Sequence, residues 1–339
     1  MSRTAPSRLV LTVVWWWIGL LSLTVVSKVW ALNMPVFPPS NVSMTIVQRQ
    51  HYRETVHEMF RHAMDGYMEF AFPADEVRPL TCTPLGPLKD NIQAWGINDV
   101  LGDYSLTLVD SLDTFAVLGD KAGFAHAVRL IREHVRIDQD SNVQVFEVTI
   151  RVLGGLLGGH LLATDPNLGM QLGDYNNELL DLAYDLGKRL LPAFTYSPTN
   201  LPCPRVNLKR GPFVIKPMHT CTAAAGTLIL EFGTLSRLTG DFRFEQVARA
   251  ALRQLWSMRS KYNLFGNTID YGSSKWEDTT GTVGAGIDSL YEYLLKAAIL
   301  FDDDEYLGMF NQAYSSVIRY LVDKTGYAFL GVDIHTLAL

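Results

Sequence analysis

The stretch VQVFEVTIRVLGGLLGGHLLA, Val143 to Ala163, decides the fold. It is apolar around nearly the whole helical circumference, and Glu147 and Arg151 near its start are its only formal charges. A helix that is apolar all round belongs in an interior. Upstream, FAHAVRLIREHVR (Phe124 to Arg136) is amphipathic, with one face fit for solvent. Downstream, TAAAGTLILEF (Thr222 to Phe232) is again small and apolar. Buried and half-exposed helices in alternation are what an inner and an outer ring require. The spacing therefore predicts an all-α chain, an α/α toroid rather than a simple bundle. Further helical patterns run through VQRQHYRETVHEMFRHAMDGYMEFAF, ending at Pro73, and through YSLTLVDSLDTFAVLG, joined to the next helix at Gly119-Asp120. One strand signal stands out: NLFGNTIDYGSSKW reads as a single short β-hairpin turning near Gly272-Ser273.

Composition narrows the function classes. The chain has 339 residues, 48% hydrophobic and 19% charged, so it can bury a large core and is not a disordered polymer. A formal net charge of -6 and no basic run interleaved with aromatics exclude phosphate-backbone recognition, so nucleic acid is not a partner. Arg3 and Arg8 precede an uncharged apolar run, Leu9 to Val26, with Val29 and Ala31 at signal-peptidase spacing. Residues 1–31 thus read as a signal peptide or a membrane anchor, residues 32–44 as a linker, and residues 45–339 as the folded part. Asn41-Val42-Ser43 is a glycan acceptor sequon that fits delivery to the secretory lumen. Cys82, Cys203 and Cys221 are odd in number, which leaves one thiol without an intrachain partner. Their spacing does not suit zinc.

The chemistry candidates are carboxylates on apolar helices. Glu147 and Arg151 are four apart, on one helical face, and could either lock the helix as an ion pair or hold a substrate. Asp288 follows the small run Gly284-Ala285-Gly286 near a helix start, where it could cap the helix or serve a site. Glu231 sits in an apolar helix and must be paired, with Arg237 or Arg151 as candidates, or used. Asp110 and Asp113 share a helical face and read as structural, and the acidic run from Asp302 to Glu305 reads as a helix-start cap.

These segments, taken in order, carry a resemblance. INDVLGDYSLTLVDSLDT, VQVFEVTIRVLGGLLGGH, LPCPRVNLKRG, CTAAAGTLILEFGTLSRLTGD and GAGIDSLYEYLLK together resemble glycoside hydrolase family 47, the class I α-1,2-mannosidases. PRVNLK and TCTAAAGTL are similar to its endoplasmic-reticulum (ER) degradation-enhancing mannosidase-like branch. The resemblance implies an (α/α)7 barrel and inverting, calcium-dependent trimming of Asn-linked high-mannose glycans on misfolded glycoproteins. It implies that Glu147 matches the proton donor, Asp288 a second catalytic carboxylate, and Arg151 and Glu231 the lining of the mannose pocket. Gly286 stands where processing members carry an arginine that helps select the mannose branch. The resemblance places the partner of Cys82, the general-base Glu and the calcium-holding Thr beyond GYAFLGVD, outside this chain. The barrel is therefore expected to be incomplete here, about two-thirds of it, and the chain alone to release no mannose. An ER lumenal or ER membrane location follows, with a protein disulfide isomerase as a possible partner. A mannose-binding quality-control receptor without catalysis remains the competing expectation.

Overall fold

The structure, a computed structural model, describes residues 43–91, 93–213 and 218–339. The leader expected at residues 1–31 and the acceptor Asn41 lie outside the described residues. One compact unit runs from Ile46 to Leu339.

Helix α1 (Ile46–Phe70) leads into a two-stranded ribbon, β1 (Glu76–Arg78) against β2 (Thr83–Leu85). Two short helices, α2 (Leu106–Asp110) and α3 (Leu112–Val117), then enter the interior. Outer helix α4 (Lys121–His134) follows. Asp120 starts it by accepting the Gly123 N–H at 2.8 Å, and Phe124, Ala127, Val128 and Ile131 recur at helical spacing to bury one face. Strand β3 (Asn142–Gln144) runs straight into α5 (Val145–Val148), a π turn (Thr149–Leu153) and α6 (Gly154–Thr164), which together form one inner rod.

The glycines of that rod are there for packing. A Cβ on Gly155 would fall 2.6 Å from the Val109 carbonyl oxygen, and one on Gly159 would fall 2.7 Å from Leu112 Cδ1. Only bare backbone lets the rod approach the α2–α3 pair this closely.

Outer helix α7 (Glu178–Leu190) buries Leu179, Ala183, Leu186 and Leu190. Strands β4 (Arg205–Asn207) and β5 (Gly211–Pro212) add to β3, and β6 (His219–Cys221) leads into inner helices α8 (Thr222–Gly226) and α9 (Ile229–Thr239). Outer helix α10 (Arg243–Ser257) is followed by the hairpin β7 (Thr268–Asp270) and β8 (Lys275–Asp278). Strand β9 (Thr280–Gly281) precedes inner helix α11 (Asp288–Phe301), outer helix α12 (Asp304–Tyr320) and strand β10 (Val332–Asp333), which pairs with β9.

Inner helices touch in sequence, α3 on α6, α6 on α9 and α9 on α11, and each also packs on the outer helix that follows it. Four inner–outer pairs in register, among the described residues, are an arc of an α/α barrel. Phe232 and Phe244 are fully buried between these layers, 6.1 Å apart edge to face.

Three results extend the sequence reading. The expected β7–β8 hairpin is present, but β6 joins it, and the β1–β2, β3–β4–β5 and β9–β10 sheets were not foreseen. Strands of two to four residues are too short for a period of two to register. The acidic run does cap a helix, since Asp303 accepts the Glu305 N–H. It also binds: Arg249 holds Asp303 at 2.6 Å and Glu305 at 2.8 Å, tying α10 to α12. Finally, apolar side chains stand exposed at the two ends of the arc, Ile46, Val47 and Met59 on α1 and Ile299 and Leu300 on α11.

Candidate active site

The small sheets set the heads of the inner helices. The N–H of Gln144 donates to Asp99 O and that of Val145 to Pro204 O, which fixes where the rod begins. At the next inner helix the Thr222 N–H donates to Asn267 O and the Ala223 N–H to Gly286 O. Cys221 caps that helix, its sulfur accepting the Ala224 N–H at 3.4 Å. The rod head touches α8, and α8 touches α11. Glu147 and Asp288 therefore sit in the first turns of two inner helices that flank a common neighbour.

Glu147 is part-buried, and its Oε2 accepts from Arg151 Nε at 2.9 Å. Arg151 lies in the π turn, an irregularity that recurs at functional sites because it re-aims one residue of a helix. Its Nη1 also approaches Asp110 Oδ2 at 3.5 Å. Burial works against the Arg151 charge, but the Glu147 and Asp110 carboxylates outweigh it and hold the guanidinium pKa above its usual value. Burial pushes the Asp110 carboxyl upward, and Arg151 offsets only part of this. Tyr104 closes the group: burial chiefly, then the Asp75 and Glu147 charges, push its phenol well above the ordinary range, and its hydroxyl donates to Val100 O.

The trio is thus Glu147, Arg151 and Asp110. Asp110 had read as structural, because position on a helix face cannot show which distant helix the face meets.

Among the described residues Glu231 pairs with no arginine. Arg237 turns to Glu245 at 2.6 Å and Arg151 to Glu147, while Glu231 Oε1 accepts the Tyr293 hydroxyl at 2.7 Å. Its other oxygen is buried and has no hydrogen-bond partner among the described residues. Burial raises the Glu231 carboxyl to about 7, against the opposing pull of the Tyr293 hydrogen bond. The side chain lies beside the rod, its Cγ 3.7 Å from where a Gly154 Cβ would stand.

Asp288 is exposed in the first turn of α11, where its Oδ1 accepts the Ser289 N–H at 2.8 Å. It makes no ion pair among the described residues. It does not cap the helix from outside, since Ile287 holds that position. The positive end of the helix dipole favours its charge. Cys221 is close by: burial chiefly raises its thiol pKa, and the Asp288 charge adds to the effect.

Cys82 is exposed in the β1–β2 turn and unpaired, as are the buried Cys203 and the partly buried Cys221. Among the described residues no three His, Cys, Asp or Glu side chains gather as a metal-holding group.

The heads of the inner helices in this α/α arc thus carry one arginine-clamped carboxylate, Glu147, and a second, exposed one, Asp288. Residues 59–336 match Glycosyl hydrolase family 47, and the chain belongs to that family. It is 46% identical over 292 residues to alpha-mannosidase I MNS5 of Arabidopsis thaliana, covering 86% of this chain and 50% of that protein. It is 48% identical over 302 residues to ER degradation-enhancing alpha-mannosidase-like protein 3 of Homo sapiens, covering 86% of this chain and 32% of that protein. The chain thus spans half or less of the length of these relatives. The solved alpha-1,2-mannosidase from Trichoderma reesei has the same fold, with a TM-score of 0.71 at 24% identity over 85% of this chain and 59% of that one.

Proposed function

We infer that the chain carries the mannose-recognising part of an α-1,2-mannosidase-like site, acting on Asn-linked high-mannose glycans of misfolded glycoproteins in the ER. The observation that carries this reading is the Glu147–Arg151–Asp110 trio at the head of the inner rod. A sugar ring offers hydroxyls that donate to carboxylates and accept from a guanidinium, and the trio supplies both kinds of group within one cluster. Family membership supports the same reading.

In the mechanism proposed for the whole protein, Glu147 supplies the leaving-group proton through a water and Asp288 acts as the second carboxylate. Arg151 and Glu231 hold the sugar. Inversion needs room for water between acid and base, a separation of roughly 6.5–9.5 Å. Calcium, where the family uses it, would help hold the sugar, but no step here is assigned to it. Cys82 is proposed to bond a cysteine outside this sequence, with a protein disulfide isomerase as its redox partner.

One observation favours the second reading, a receptor that captures mannose without cleaving it. Glu147 Oε2 is held by Arg151 Nε at 2.9 Å, so this carboxylate oxygen is committed to an ion pair of the kind that grips a sugar. For the 339-residue chain alone, capture without release is the proposed outcome.

The test incubates the purified chain and its Glu147→Gln variant with a high-mannose N-glycan in calcium, then weighs glycans and measures retention. Retention without mass loss in both proteins fits this proposal for the short chain. Mannose release by the wild type and not by the variant would establish hydrolysis and overturn the capture-only assignment. Failure to retain glycan at all would reject the mannose reading.

A further inference from the structure

A hollow of about 470 Å³ lies on the outer layer of the arc, between the end of α12 and the loop that leaves α10. None of the Glu147 trio lines it. Its size is within the roughly 300–1,000 Å³ of ligand pockets. The loop is held stiffly. The Ser260 N–H donates to Leu264 O and the Asn263 N–H to Ser260 O, both at 2.9 Å, while Ser260 Oγ accepts the Tyr262 N–H. Asn263 sits in the left-handed region at φ 54°, and its Oδ1 accepts from Arg259 Nε at 3.0 Å. The Tyr262 ring meets that of Tyr320 on α12 at 5.3 Å, which ties loop to helix.

The charges select the partner. The lining holds two cations, Lys261 and Arg319, and no carboxylate. Other outer-helix arginines are neutralised, Arg189 by Asp185, Arg243 by Asp241 and Arg253 by Glu305. Lys261 and Arg319 are exposed, and among the described residues neither holds a carboxylate. Each lies instead over the neighbouring tyrosine ring, at 4.9 and 5.2 Å. The last turn of a helix favours a cation, which accounts for Arg319 but not for Lys261 in the loop. The chain carries a net charge of -6, so its overall field repels anions and any acidic ligand here must be held by these local cations.

The uncharged lining suits a peptide backbone. Arg259 uses only the oxygen of the Asn263 amide, which leaves its N–H donors free. The Gln312 amide donates to Gly308 O at 3.2 Å through its nitrogen, which leaves its oxygen free to accept. A peptide unit offers one acceptor and one donor, and these two amides answer both. A bare phosphate would use the donors alone and leave the Gln312 oxygen and both tyrosine rings idle. Tyrosine and arginine are also the side chains in which protein interfaces are enriched.

We propose that this hollow is a docking site for an acidic polypeptide segment, with Lys261 and Arg319 taking its carboxylates and Asn263 and Gln312 its backbone. The site does not depend on the mannose reading. It gives the chain a hold on a polypeptide that is separate from any hold on a glycan.

The experiment follows the fluorescence anisotropy of labelled peptides as the full 339-residue chain is added. The probes are an alternating Glu-Gly peptide and an alternating Gln-Gly peptide, with inorganic phosphate and unlabelled Glu-Gly peptide as competitors. The Glu-Gly peptide is expected to bind saturably, less tightly as salt rises, and the Gln-Gly peptide far more weakly. Lys261→Ala/Arg319→Ala is expected to weaken Glu-Gly binding about fivefold, as loss of two exposed ion pairs would. The melting temperature is expected to stay unchanged, because neither side chain holds a carboxylate in the protein. If the double variant does not fold, Lys261→Ala alone serves, with an expected loss of about twofold. Glu147→Gln/Arg151→Ala is expected to bind the Glu-Gly peptide as the wild type does. A wild type that binds no Glu-Gly peptide, or binds the Gln-Gly peptide equally well, overturns the proposal. So does binding that ignores the loss of Lys261 and Arg319, or that disappears with the trio. Phosphate that displaces the probe at a lower concentration than the unlabelled peptide would make this a small-anion site and overturn it too.

Discussion

At the scale of single residues, burial sets the chemistry, and Glu231 shows it most clearly. Its carboxyl is raised to about 7 from an ordinary 4.5, chiefly by burial. The folded state therefore binds this proton more tightly than the unfolded state does. Stability from this group is greatest below the unfolded value and falls as pH rises from about 4.5 to about 7. A shift from 4.5 to about 7 is worth ~3 kcal/mol across that window, at 1.36 kcal/mol per unit. Glu231→Gln is expected to flatten the fall, read as the difference in melting temperature between pH 5 and pH 8. Arg151 is a different case. Its side chain is 40% exposed, so Arg151→Ala should cost little stability, ~1 kcal/mol or less. The same change leaves Glu147 and Asp110 without their shared cation and is expected to weaken glycan retention at least tenfold. Calorimetric melting beside a retention assay separates the two effects.

At the scale of elements, the inner rod shows how a helix can be specified by what it lacks. Gly155 and Gly158 look alike in the sequence, in the repeated pair GGLLGG. Their surroundings differ: a Cβ on Gly155 meets the Val109 carbonyl at 2.6 Å, while one on Gly158 meets nothing within 4 Å. Gly155→Ala is expected to destabilise by about 1–3 kcal/mol through overpacking. Gly158→Ala is expected to stabilise by about 0.5–1 kcal/mol through helix propensity. Opposite shifts in the midpoint of urea unfolding would confirm both, and shifts of the same sign would contradict the close approach of rod and α2–α3 pair. The outer helices are joined by charge instead. Arg249 bonds Glu245, Asp303 and Glu305 with only 23% of its side chain exposed. Arg249→Ala leaves three part-buried carboxylates without this partner and should cost about 1–3 kcal/mol, checked by the same urea titration.

At the scale of the whole molecule, the arc presents apolar side chains at both ends, among them Ile46 at 67% and Val47 at 73% exposure on α1 and Ile299 at 63% and Leu300 at 60% on α11. Exposed apolar surface of this kind drives association. Sedimentation of the chain is expected to be concentration-dependent, and Ile299→Glu/Leu300→Glu is expected to reduce that dependence. The alternation of apolar and amphipathic helices, the β7–β8 hairpin and the family itself could all be read from the amino acids, since each is written in local composition or in ordered motifs. So could the pairing of Glu147 with Arg151, because four residues is one helical turn. The recruitment of Asp110 to Arg151, the Tyr293 partner of Glu231 and the three-stranded sheets that set the helix heads could not. Each joins segments far apart in the chain through contacts that helical or strand periodicity does not encode. Amino-acid order alone thus determined which helices face inward, because burial follows side-chain polarity one helix at a time. Only the tertiary structure decided which carboxylate meets which partner, because that depends on how separately specified helices are turned against one another.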